Sequence, residues 1–242
     1  MKRALIFLNR SLFTPSKVLF LLLAIDAVFI LLNKIYLDTN LLSDQRFLLR
    51  LDRGYAEIFG YLMESCTVLV LCALAVRTRQ PLYLAWVTLF LYMVVDDILQ
   101  WHESVLTVAA LAFVGLEWDD VVLGIEAHHL VEDVGMALLA LVILSIMLVV
   151  YHFGDRTFKK VSIGLFVLLA SLAFFGVAVD LIHAAIQYGP RYPGRGADSR
   201  LLGIIEDGGE LVVVSLILWF VLLSWNRAHQ QEKDAKVQPN AR

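Results

Sequence analysis

Nine side chains stand out for what they could do together: Glu64, Asp97, Glu126, His129, Asp133, Asp180, His183, Glu206 and Glu210. All are carboxylates or imidazoles, and all fall inside or at the edge of long apolar runs. An ionisable group within a membrane span costs several kcal/mol unless it is paired, hydrated or bound to a ligand. Counted at ~1.5 Å per residue from the nearer helix end, Glu64, Asp96, Asp97, Glu126, His129, Asp180 and Glu210 fall in one layer ~10–13 Å deep. His183 and Glu206 lie just above that layer and Asp133 just below it. The spacing adds to the depth. Glu126, His129 and Asp133 follow i, i+3, i+7 on an expected helix, Asp180 and His183 are i, i+3, and Glu206 and Glu210 are i, i+4.

No Lys or Arg is expected at that depth, so salt bridges cannot be the main means of neutralising these acids. Protonation, a wet cavity or bound cations remain. The mixture of imidazole with carboxylate favours a metal. The pairs Glu126-x-x-His129 and Asp180-x-x-His183, joined by single acids such as Glu64 and Glu210, give a set that resembles the ligand inventory of di-iron and di-manganese carboxylate bundles. The likeness is one of coordination logic. It departs from those bundles in having Asp in one pair, a different helix order and surplus acids. The expected cofactors are therefore divalent metal ions, two in number, of iron, manganese or zinc. Asp97 and Asp133 serve as further ligands or as groups orienting the histidines. Arg191, Arg195 and Arg200, in a Gly- and Pro-rich loop, are the candidates for an anionic headgroup.

The elements that must carry this layer are plain from composition. With 60% hydrophobic residues and a mean hydropathy of +0.74 over 242 residues, the chain lies outside the range of soluble domains. Apolar runs near Val18–Leu37, Tyr55–Val76, Leu82–Trp101, Val121–Tyr151, Val161–Gln187 and Leu201–Trp225 predict an all-α integral membrane protein, a six-helix transmembrane bundle. The runs are continuous rather than alternating, which excludes a β-barrel. An N-terminal segment 1–17, a membrane domain 18–225 and a polar tail 226–242 follow, with disorder expected over 230–242. Residues Ser43–Asp52 read as a short helix on the bilayer surface. The start of the chain lacks a signal-peptidase site and reads as a retained helix. Cys66 and Cys72 lie in one span on different faces and imply no disulfide framework.

Acid motifs recur at helix entries, as Glu132-Asp133 in the fourth helix and Glu206-Asp207 in the sixth, with Asp97 and Asp180 in the preceding helices. This pattern predicts repeated two-helix hairpins. Of the 20 basic residues, 13 fall on the side that holds both termini, placing the termini in the cytoplasm of an inner (cell) membrane. Of the 23 acids, 19 fall in the opposite loops or the outer halves of the helices. The inner halves of the last three helices carry no charge, and Asp26 alone sits near mid-membrane. An outward-facing metalloenzyme acting on a lipid or other apolar substrate fits this pattern best, with no nucleic acid among its partners. A cation or proton-coupled carrier is the alternative, and a non-catalytic subunit of a membrane complex is a third reading.

Overall fold

The computed structural model describes residues 14–101, 105–122, 125–188 and 196–237. Helix α1 spans Pro15–Asp38. Proline stands in its first turn, where a missing N–H is no loss and φ is already helical. Helix α2, Tyr55–Thr78, ends on Arg79 in the left-handed region (φ 51°), and α3, Tyr83–Leu99, ends likewise on Gln100 (φ 52°). A short α4, Thr107–Val114, and a two-residue antiparallel ladder, β1 (Val121–Val122) with β2 (Ile125–Glu126), precede α5, Ala127–Phe153. Helix α6, Arg156–Ala173, begins where the Asp155 carboxylate accepts the Phe158 N–H at 2.7 Å. A π-helical stretch, Phe174–Val179, joins it to α7, Asp180–Tyr188, and α8 runs from Gly196 to Val237.

Among the described residues, five helical stretches are long and apolar enough to cross a membrane: Pro15–Asp38, Tyr55–Thr78, Leu130–Phe153, Arg156–His183 and Arg200–Glu232. Their outward faces are apolar and bare. Phe20, Leu69, Val76 and Val167 are each more than 60% exposed, a pattern that water would not tolerate over so many contiguous surfaces. Helix α3 packs against α2, and the Tyr61 hydroxyl early in α2 reaches the Asp97 carbonyl late in α3, as in an antiparallel pair.

The two ends of the molecule differ in charge and in packing. At the basic end, Arg77 stacks over Trp225 (4.9 Å) and donates to Glu232, while Trp86 Nε1 donates to Ser162 at 3.0 Å. Tyr83 meets Phe158 edge-on at 5.1 Å, and Trp86, Leu165 and Val221 are fully buried. A second apolar cluster, including Leu22, Met63, Leu211 and Leu218, seats α1 on α2 and α8. At the acidic end the helices stand apart around an internal space.

Three expectations about local structure are corrected. The Ser43–Asp52 segment is not a surface helix. It contains one 3-10 turn, Gln45–Phe47, capped by Asp44, and then folds inward so that the Leu49 N–H donates to Asn33 Oδ1 at 3.1 Å. The fourth long helix starts at Ala127 rather than Val121, because the Ala127 N–H is drawn to the Asp120 carbonyl across the small ladder. The tail stays helical through Val237, with His229 and Glu232 held against Arg77.

Candidate metal centre and the acid-lined cavity

Among the described residues, one group of three metal-ligating side chains converges: Asp180, His183 and Glu206, whose donor atoms all lie within 4.8 Å of one another. Asp180 and His183 sit one turn apart on α7, and Glu206 comes from the facing stretch of α8. His183 Nδ1 and Glu206 Oε2 are 2.7 Å apart, and Glu206 is also in contact with the Asp180 carboxylate. Two carboxylates in contact repel unless a proton or a cation stands between them. Two donors ~2.1 Å from one ion stand at most ~4.2 Å apart, so a small inward shift of one side chain closes the set. One imidazole with two carboxylates suits zinc, manganese or iron, and three protein ligands leave a position open for water or substrate.

The π-helical stretch explains how α7 presents this pair. Packing an extra residue into the turn shifts the phase of everything that follows, and such insertions recur at functional sites. Gly176 lies within it, where an added Cβ would collide with Glu210 Oε1. The glycine lets a carboxylate from α8 press against the backbone of the π-helical stretch.

Beside the trio opens a cavity of about 500 Å³ enclosed by α2, α3, α5, α6 and α8. Its upper part is acidic. Glu64 faces Asp97 and Glu210, and Glu210 in turn faces Asp207, Glu206 and Asp180. Glu64 is only 6% exposed and its Oε2 has no hydrogen-bond partner. Tyr61, on the cavity wall, sets its hydroxyl between the Glu57 carboxylate and the Asp97 carbonyl. The lower part is apolar, bordered by Leu89, Met136, Ile143, Phe166 and Val214. Below it the fully buried Trp86 and Leu165 close the bundle.

The expected site residues sort as follows. Asp180, His183 and Glu206 come together as ligands, and Glu64, Asp97 and Glu210 gather across the cavity. Glu126 lies on β2, ahead of the helix, so Glu126 and His129 do not share a helical face as the spacing predicts. Its carboxylate is 3.7 Å from His128 Nδ1, while His128 stacks on Trp118. The β2 strand packs against α7. The side chains of His129 and Asp133 lie outside the described residues, as do Arg191 and Arg195. Arg200 is exposed near Asp38, away from the cavity lining.

Sequence reasoning missed Arg50. No cation was expected near the acid layer, yet the inturned loop brings Arg50 to the cavity wall, within electrostatic reach of Asp207. The only signal for it was the apolar pattern of Leu48, Leu49 and Leu51, which marks a segment that must fold onto something.

Helix content, apolar faces and a one-ended acidic cavity define an all-α membrane protein with a candidate cation site near one end. The chain belongs to the family described as Domain of unknown function (DUF8692), whose model matches residues 18–225. No curated protein and no solved structure matches it.

Proposed function

We propose that this protein is a membrane metalloenzyme that holds a divalent ion at Asp180, His183 and Glu206 and receives an apolar substrate in the adjoining cavity. The observation that carries this reading is the convergence of the three donors, of which Asp180 itself lines a cavity that is acidic above and apolar below. An ion there would polarise a substrate oxygen or activate water, or carry redox chemistry if it is iron. The described residues supply one such trio, so one ion is proposed. A second ion is not proposed, since Glu64, Asp97 and Glu210 form no such trio among the described residues.

In this reading α3, at 17 residues, is a short sixth span. Its antiparallel course beside α2 supports that count. Arg77, Arg156, Lys159 and Arg227 belong to one end of the bundle, which supports placing both termini in the cytoplasm of an inner membrane, with the cavity facing outward. Glu132 and Asp207 both border the cavity, which favours an origin in duplicated hairpins.

The deciding measurement is metal content by mass spectrometry on protein purified into nanodiscs. Close to one divalent ion per chain is expected, lost in His183→Ala and Glu206→Gln. A metal-free protein that stays metal-free after reconstitution with zinc, manganese and iron would sink the reading.

One feature favours a second reading as a carrier. Asp26 is fully buried beside Ser215 on α8, whose hydroxyl donates to Met63 Sδ at 3.1 Å. It does not border the cavity. Asp26→Asn separates the two: a carrier loses cation-driven flux in proteoliposomes, whereas the enzyme keeps its metal and its cavity.

A further inference from the structure

The same cavity contains more acid than one metal trio uses, and its shape restricts what else can enter. Glu64, Asp97 and Glu210 come from three different helices and face one another, and among the described lining residues the one cation is Arg50 at the inturned loop. The Glu64 Oε2 is the strongest pointer to a ligand: it belongs to a side chain only 6% exposed, on the cavity wall, and among the described residues no hydrogen-bond donor is paired with it, its neighbours Asp97 and Glu210 being carboxyl groups themselves. Buried acceptors of this kind are normally satisfied, and those that are not call for a specific explanation. Downward from the acids, one face of α5 continues the wall as Glu132, Met136, Leu139 or Ala140, and Ile143, a polar-to-apolar gradient about 18 Å long from Glu132 to Leu144 at ~1.5 Å per residue.

We infer that the cavity binds a single-chain amphiphile headed by a protonated amine, its ammonium held among Glu64, Asp97 and Glu210 and its chain lying along α5 and α6 toward Phe166. An ammonium offers three donors and no acceptor, which matches three carboxylates converging from different directions. A phosphate or carboxylate head is disfavoured on the same ground, because it would add negative charge to a wall that already carries an excess. The apolar lower half suits an aliphatic chain. The bilayer supplies the route, since α5 leans only lightly on α3 and α6 and leaves a lateral approach between its neighbours. This assignment rests on the reading of the cavity as the substrate pocket and names what that pocket takes.

The test is equilibrium binding of radiolabelled dodecylamine to the full chain in phosphatidylcholine nanodiscs, corrected by empty discs, with metal content read on the same samples. Saturable binding near one per chain is expected, with dodecyl phosphate at least about tenfold weaker and Glu64→Gln reducing amine affinity by about tenfold or more. Ala173→Phe, which fills the apolar part without touching an acid, should abolish binding while the metal stays. If that variant fails to fold, as judged by lost metal and aggregation, Ala140→Phe on the opposite wall takes its place. Non-saturable uptake, equal binding of dodecyl phosphate, or unchanged affinity in Glu64→Gln and the filled variant would each overturn the proposal. Metal without saturable amine binding defeats this inference alone, and amine binding without metal defeats the metalloenzyme alone.

Discussion

At the basic end, Tyr83, Trp86, Phe158 and Leu165 are sealed from any surface, whereas toward the acidic end the same helices part around some 500 Å³ of space. The contrast lies in the side chains rather than in the helix geometry. Where α3 carries Tyr83, Trp86 and Phe90, large rings fill the gap between helices, and Trp86 and Phe166 lock edge to face at 4.9 Å. A few turns further on, α3 offers Tyr92 and Asp97, α2 offers Gly60 and Glu64, and the π-helical stretch offers Gly176. Small residues and short polar side chains leave that interior unfilled. The rigid end acts as a clamp that lets the other end keep an unfilled, charged interior.

The sharpest consequence concerns the trio. His183→Ala should lower divalent-ion affinity by at least ~100-fold, beyond the 10–100-fold that even outer partners of a metal cost, and titration with a competing chelator checks it. Its thermal stability without metal should move little, since His183 is only partly buried. The reverse holds at the packed end. Trp86→Ala should cost about 3–5 kcal/mol, the range for emptying a buried aromatic site, seen as earlier unfolding in detergent, with metal affinity in the folded fraction unchanged. Next in size, Leu139→Ala at the cavity wall should cost less than the ~2–5 kcal/mol of a close-packed site, because it already borders empty space; a cost equal to that of Leu165→Ala would refute the difference in packing. Gly176→Ala should leave the fold intact but push Glu210 aside, measured as weakened binding at Glu64 and Asp97.

The smallest effect is expected at the rim. The Arg46 amide and the Tyr55 hydroxyl hold the exposed Asp44 carboxyl below its ordinary range. That support for the loop bearing Arg50 is full above the usual carboxylate pKa and is lost as pH falls through the lowered value. Hydrogen exchange at residues 45–50 should therefore quicken in acid and in Asp44→Ala at neutral pH.

Much of this was readable from the chain. The long spans follow from apolar runs, and Asp180 with His183 follows from i, i+3 spacing. Glu206 was reachable because its depth matched. What could not be read depended on contacts distant in sequence. Val121, Val122 and Ile125 are as apolar as any helix interior, and only the Asp120 carbonyl decides that the helix waits until Ala127. Arg50 reaches the acids because Asn33, on another helix, holds the Leu49 backbone. The tail from Arg227 looks like solvated chain until Arg77 is seen to engage Glu232.

The π-helical stretch at Phe174–Val179 amounts to one surplus residue threaded into an otherwise regular rod. Excising it would turn Asp180 and His183 by ~100° about the axis, the angle of one residue in an α-helix, and swing both away from Glu206. Everything from Arg156 to Ala173 would keep its place against the aromatic clamp. A single-codon deletion could thus silence the site while leaving its scaffold whole.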